Sequence, residues 1–373
     1  MTDDVTEADR IPGAPHPRAT PRVFGHDAAE ARFLDAFNAG RLHHAWLISG
    51  PEGIGKATLA WRIARFLLTA PDRDGGLFGA PAPAISLDSD PDHPVARRIA
   101  ALSEPRLFLL RRPWDDRTEK LKQDIPVDEV RRMKGFFQLT AAEGGSRVAL
   151  IDAADDLNAS GANALLKLLE EPPPETTFLI VTHRPSGLLP TIRSRCRDLR
   201  LAPLAAADLD AALAGAGFPD PAGPALASLS GGSVGTAIRL QAADGMALYA
   251  RIADLFATLP RLDRPKALAL ADRAAQRGAD AQADLVFTLV LTLLARLART
   301  GATGTVLPEA APGEAAMLTR LAPRPDAGRA WADLHDILAP RIRHGRAVNL
   351  DPAALLLDMV LKAEEVAGRI ARG

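Results

Sequence analysis

Residues 45–58 read A-W-L-I-S-G-P-E-G-I-G-K-A-T. Ala45 to Gly50 form a short apolar run ended by glycine, the pattern of a buried strand. From Lys56 the chain continues K-A-T-L-A-W-R-I-A-R-F-L-L-T-A, with apolar residues near i, i+3 and i+4, the pattern of a helix. Between them, Gly50 to Lys56 spell G-P-E-G-I-G-K, a match to the phosphate loop G-x-x-x-x-G-K in its proper strand-to-helix setting. Gly50, Gly53 and Gly55 let backbone N–H groups turn inward around phosphate oxygens, the helix N-terminus adds positive potential, and Lys56 reaches terminal phosphates. The bland alternative is a glycine-rich turn that binds nothing. The position after the lysine is the departure. It should be Ser or Thr, whose hydroxyl ligates magnesium, and here it is Ala57. Thr58 lies one place further, a rotation of about 100° on a helix, and does not substitute. The stretch predicts a loop able to hold phosphate beside an impaired metal site.

Working outward, F-G-H-D-A-A-E-A-R-F-L-D-A-F-N-A-G from Phe24 reads as a helix and its exit loop. Residues 71–95 are rich in Gly, Pro and Asp and predict a loop or insertion. R-L-F-L-L-R-R from Arg106 predicts a second strand, and V-D-E-V-R-R-M-K-G-F-F-Q-L-T from Val127 a helix. R-V-A-L-I-D-A-A-D-D-L from Arg147 holds a third strand, ending at Ile151 or Asp152. A-S-G-A-N-A-L-L-K-L-L-E-E-P-P is a helix stopped by Pro172, Pro173 and Pro174. T-T-F-L-I-V-T-H-R-P from Thr176 holds a fourth strand. Strands alternating with helices predict a mostly parallel sheet with helices on both faces. From Leu204 onward Leu, Ala, Asp and Arg recur in helical spacing with no strand of comparable strength, so the remainder should be all-α. The Pro/Gly-rich stretch 300–326 is a long helix-to-helix loop or an insertion.

Composition sets the outer bounds. The chain has 373 residues, which at roughly 150 residues per domain predicts two or three domains. Lys plus Arg is 45 and Asp plus Glu is 46, a formal net charge of −1. That excludes a broadly basic coat for wrapping nucleic acid, though a local basic patch remains open. The single cysteine excludes an internal disulfide and a four-cysteine zinc site, so a reducing cytoplasm is the expected compartment. Residues 1 to about 20 are polar and Pro-rich, and read as a disordered tail with no apolar run of the signal-peptide kind. The longest apolar stretch, Leu285 to Ala295, is too short to span a bilayer and predicts a buried helix.

A second acidic motif, V-A-L-I-D-A-A-D-D from Val148, is a strand followed by Asp152. An aspartate in that position supports magnesium in phosphate-loop enzymes. Hydrolysing members of the class normally carry a Glu next, which orients the attacking water; here Ala153 follows. A methyl group neither accepts a proton nor orients water. Asp155 is three residues away and reads equally as a helix N-cap. Two defects in one site argue against an active ATPase.

N-A-L-L-K-L-L-E-E-P-P (Asn163 to Pro173) followed by T-I-R-S-R-C (Thr191 to Cys196) strongly resembles the AAA+ clamp-loader subunits of bacterial DNA polymerase III. The resemblance covers about residues 22–245 well and the rest loosely. It implies an AAA+ module over residues 22–202 after the tail 1–21, a helical lid over 203–245, and a helical collar over 246–373 that packs into a ring of five subunits. Within the motif formed with Ser194 and Cys196, it implies that Arg195 points into a neighbour's ATP site as an arginine finger. Such fingers contribute roughly 10³ to 10⁵ in rate; a surface arginine in a salt bridge is the plainer reading. ATP-hydrolysing relatives place a sensor arginine in the segment corresponding to Gly231–Leu240, where this chain carries Gly235. Many relatives also carry four zinc-binding cysteines after the first helix; this chain has none in that region, and no zinc is expected. Cys196 reads as a packing residue, since no activating partner is evident. Asn349 to Leu361 resemble the closing collar helix.

The resemblance therefore implies a non-catalytic clamp-loader subunit. Its partners would be motor subunits and a clamp-opening subunit, with the sliding clamp and primed DNA reached through the complex. No cofactor would be required, though vestigial ATP or ADP binding at Gly50, Gly53, Gly55, Lys56 and Asp152 is compatible with it. The alternatives are an ATP-hydrolysing motor subunit, opposed by Ala57, Ala153 and Gly235, and a DNA-binding regulator acting alone, for which no helix-turn-helix pattern stands out after Leu204. The basic run Arg131 to Lys134 suits DNA contact and a solvated helix face equally well.

Overall fold

The computed structural model describes residues 7–71, 82–139, 145–275 and 280–372. Two compact units emerge, Met1–Pro221 with Gly232–Thr236, and Ala222–Gly231 with Ala237–Gly373. The segment 203–245 expected as a lid is shared between them.

The first unit is built on strands β1 (Ala45–Ser49), β2 (Leu107–Leu110), β5 (Arg147–Ile151), β6 (Thr176–Thr182) and β7 (Arg197–Arg200), with a small hairpin of β3 (Trp114–Asp115) and β4 (Lys120–Leu121). The five-stranded sheet runs in the order β2-β5-β6-β1-β7, and every pairing in it is parallel. Among the described residues, seven α-helices accompany it: α1 (Asp27–Asn38), α2 (Lys56–Thr69), α3 (Pro94–Ala100), α4 (Val127–Leu139), α5 (Ala159–Glu170), α6 (Pro190–Arg193) and α7 (Ala206–Gly215). The α/β phosphate-loop class read from the sequence is the observed one.

β1, β5 and β6 are buried along their whole length, as continuous apolar strands in a sheet covered on both faces should be. Alternate side chains point to opposite faces. Leu47, Ile151, Phe178 and Ile180 pack with Val130, Met133 and Phe137 of α4 and with Leu165 and Leu168 of α5. α2 packs against β1, β5 and β6, and its Leu59, Trp61 and Ile63 are fully buried. Each such side chain contributes about 1.5–3 kcal/mol by leaving water. α5 starts where Asn158 Oδ1 accepts from the Gly161 N–H at 2.8 Å, an N-cap, and it stops before the prolines.

One expectation is corrected here, one strand was not foreseen, and the described residues 82–93 form the expected loop. Residues 7–21 are not a disordered tail. Arg65 of α2 donates to the carbonyls of Arg18 (2.6 Å) and Thr20 (2.8 Å), and Arg62 to that of Pro21 (2.6 Å). His16 is buried with its ring edge-on to Trp61. Polar composition misled because these contacts are backbone carbonyls meeting two distant arginines. β7 was also missed: only Leu199 is buried on this edge strand, so R-D-L-R carries no apolar run. In the Gly/Pro/Asp-rich stretch 71–95, residues 72–81 lie outside the described residues. The remainder holds the buried Leu87, the mutual hydrogen bonds of Asn38 and Ala84, and the start of α3.

The second unit is helical, as expected: α8 (Gly223–Ser230), most of α9 (Val234–Ala242), α10 (Gly245–Ala257), α11 (Arg264–Ala274), α12 (Asp280–Thr303), α13 (Glu314–Leu321), α14 (Pro325–Ala347) and α15 (Pro352–Arg372). The stretch 300–326 ends α12, contains α13 and opens α14. α12 exceeds the apolar stretch seen in the sequence. Its residues Ala281–Thr303 are long and apolar enough to cross a membrane by length and composition, yet half of that window is buried inside the protein. It is the central helix of its unit, against α10, α13 and α14. α12 and α14 approach backbone to backbone, since a Cβ added to Gly301 would come 2.5 Å from the Gly328 Cα. A buried polar group also ties the unit. The Glu314 carboxylate accepts from Arg296 Nε (2.6 Å) and Nη2 (3.1 Å), Tyr249 Oη (2.5 Å) and the Ala310 N–H (2.6 Å). Four donors on one buried carboxylate offset its desolvation.

Candidate functional site

Gly50 to Lys56 lie at the C-terminal end of β1, with Asp152 just past the end of β5 and His183 just past β6. These are neighbouring strand ends of one parallel sheet, the position where α/β folds bind ligands. Gly53 adopts φ +74°, and a Cβ there would come 2.5 Å from Ser233 Oγ and 3.1 Å from the Gly235 Cα. Only glycine meets both demands. Ser233 Oγ donates to the Glu52 carbonyl (2.9 Å) and accepts from the Thr236 N–H (3.1 Å); the Gly235 N–H donates to the Gly53 carbonyl (2.9 Å). The structure thus brings Gly235 onto the phosphate loop itself.

Lys56 is buried, and its Nζ donates to the Pro51 carbonyl of its own loop. Burial pulls its pKa down to about 8, against the opposing charges of Asp152, Glu52 and Asp155. Asp152 is buried as well. Burial, together with the negative charge of Asp9, pushes its carboxyl up to about 7, while Lys56 pulls the other way. Ala153 beside it is buried. Asp155 is fully committed elsewhere: its Oδ2 accepts from the His183 N–H (2.7 Å) and its Oδ1 from the Arg184 N–H (2.9 Å). It caps the turn after β6, and is neither the helix N-cap nor the free base that the sequence left open. Burial and the Lys56 charge push the His183 imidazole pKa down from its ordinary value.

The residues present fit a phosphate group: a strand-to-helix glycine turn, a helix N-terminus at Gly55 and a lysine. They do not fit a magnesium ion. Ala57 offers a methyl where a hydroxyl ligand belongs.

Arg195, Ser194 and Cys196 are elsewhere. They sit between α6 and β7, at the N-terminal end of that strand. Arg197 is in register with Trp46 of β1. Trp46 and Gly50 are separated by roughly 13 Å of strand at about 3.3 Å per residue, and Arg195 lies on the far side of Arg197 from the loop. Its Nη2 pairs with Glu170 Oε1 at 2.9 Å and its Nη1 donates to the Thr191 carbonyl at 3.0 Å, with the side chain 36% exposed. Ser194 Oγ donates to the Thr191 carbonyl (3.1 Å), and Cys196 Sγ to that of Ile192 (3.2 Å). Burial, with the nearby Asp198 charge, pushes the Cys196 thiol up to about 12. On α4, Arg131 and Arg132 pair with Asp128 (2.9 Å) and Glu129 (2.8 Å) of the preceding turn, and Lys134 is exposed. These are the features of a solvated helix face.

Sequence reasoning missed His183, Ser233 and the acid Asp9. His183 was findable as the residue ending a strand beside the phosphate-loop strand. Asp9 was not, because its place depends on the whole course of residues 7–21.

A family profile described as "DNA polymerase III, delta subunit" matches residues 25–205. Among curated relatives, the DNA polymerase III subunit delta-prime of Pseudomonas aeruginosa is 38% identical over 53% of this chain and 55% of its own. That of Escherichia coli is 34% identical over 46% of each. The DNA polymerase III subunit gamma/tau of Mycobacterium bovis is 31% identical over 48% of this chain and 28% of its own. The chain thus spans about half the length of the delta-prime relatives it matches. Over about half of its length the chain is thus similar to the DNA polymerase III delta and delta-prime subunits.

Proposed function

We propose that this chain is the delta-prime subunit of a DNA polymerase III clamp loader, hydrolysing no ATP itself and lending Arg195 to a neighbouring ATPase subunit. It would act in the cytoplasm within a five-membered ring of motor subunits and a clamp-opening subunit, which places the sliding clamp on primed DNA. The observation that carries this reading is the position of Arg195. It stands on the loop entering edge strand β7, at the end of the sheet opposite its own phosphate loop. A guanidinium there is too far from the chain's own phosphates and is free to meet another subunit's. It is planar, always charged and multiply donating, as a transferring phosphate requires. Its ion pair with Glu170 is half-exposed, so exchanging that carboxylate for a phosphate is inexpensive.

The gamma/tau relatives favour the alternative of an ATP-hydrolysing motor subunit. Against it stand Ala57, Ala153, Gly235 and the commitment of both Asp155 oxygens to backbone N–H groups. Steady-state ATP turnover by the isolated chain separates the two. The proposal expects none above background, and turnover of about 1 s⁻¹ or faster, ordinary for an enzyme, would overturn it. Weak nucleotide binding would not.

A further inference from the structure

We propose that the N-terminal segment Glu7–Arg22 is a built-in occupant of the phosphate-loop site, which the phosphates of a nucleotide have to displace. The inference stands independently of the role given to Arg195.

Three sets of contacts carry it. The segment is fastened to α2, the helix that leaves the phosphate loop, through Arg62 and Arg65 and through His16 against Trp61. Its position is therefore tied to that of the loop. Its tip then reaches Gly235, the residue that packs on Gly53 of the loop. A Cβ added to Gly235 would come 2.5 Å from the Ile11 Cδ1 and 3.1 Å from the Gly53 Cα. Ile11 thus fills the space into which any side chain at 235 would project, next to a glycine of the loop. Finally, the Asp9 side chain has no exposure to solvent. It pairs with Arg111 and lies 3.3 Å from His16 Nε2, and one of its oxygens, Oδ2, is buried with no hydrogen-bond partner. Its charge is the largest acting on Asp152.

An isoleucine methyl cannot satisfy phosphate oxygens, and a buried carboxylate repels them. A bound triphosphate and the seated segment are therefore mutually exclusive. The segment imposes a population penalty on nucleotide: observed affinity falls in proportion to the fraction of molecules with the site open.

The test is direct binding of a fluorescent ATP analogue, without turnover as a readout, to the full chain and to a chain lacking residues 1–12. The proposal expects at least tenfold tighter binding after removal, and loss of that gain when Lys56→Ala is added. Should the shortened chain fail to fold, Ile11→Asp in the full chain serves instead, since it unseats the tip while leaving the Arg62 and Arg65 anchors. In parallel, hydrogen exchange at residues 8–14 of the unaltered chain should accelerate when the analogue saturates it. Equal affinity with and without the segment, no binding by any folded variant, or unchanged exchange in the bound chain would each overturn the proposal. An active ATPase would refute the proposed function and leave this test unaffected.

Discussion

At Cys196, burial decides reactivity. The thiolate is the nucleophile, and a thiol raised from 9.0 to about 12 holds about a thousandfold less thiolate at neutral pH. Alkylation of the folded chain at pH 8 should run at least a hundredfold slower than in denaturant, and should keep accelerating as pH rises past 10. Equal rates in the two states would show the thiol to be ordinary. The same scale shows what a sequence can and cannot reveal about a site. The strand-to-helix placement of Gly50, Gly53, Gly55 and Lys56 and the strand-end placement of Asp152 were legible because each lies in a local motif whose chemistry fixes the spacing. Asp155 was ambiguous because its partners, His183 and Arg184, are a strand and a helix away. Asp9 was illegible because nothing near it in the chain indicates that a half-buried arginine, Arg111, awaits it.

Among the elements, legibility followed burial. β1, β5 and β6 are wholly buried and show as unbroken apolar runs. β7 is paired on one side only and reads as polar, while β3 and β4 are two-residue strands with no periodicity to detect. The helices of the second unit showed in their apolar spacing, but the way they pack did not. Its clearest instance is the meeting of Gly301 on α12 with Gly328 on α14. A Cβ at Gly328 would stand 2.6 Å from the Ala302 nitrogen, a backbone atom that cannot swing aside. Gly328→Val should therefore force the two helices apart and lower stability by about 1–3 kcal/mol, the usual cost of overpacking. Urea unfolding followed by circular dichroism measures it; an unchanged midpoint would mean that the helices are free to separate there.

For the molecule as a whole, the proposed function rests on what occupies each end of the parallel sheet. The phosphate loop retains its glycines and lysine, but the position that should ligate magnesium is Ala57 and the position that should orient water is Ala153. Asp155 ties down the turn after β6, and Gly235 lies against Gly53 where the resemblance expects an arginine. Arg195, 36% exposed and paired with Glu170, stands at the opposite end of the sheet. The measurement that bears most directly on this account is DNA-dependent ATP hydrolysis by the reconstituted clamp-loader complex carrying Arg195→Ala in this chain. The altered chain should fold and assemble as before. Hydrolysis should fall at the one site facing it, with Arg195→Lys restoring little because an ammonium lacks the forked contact. A complex with Arg195→Ala that assembles fully and hydrolyses ATP at the unaltered rate would contradict the account.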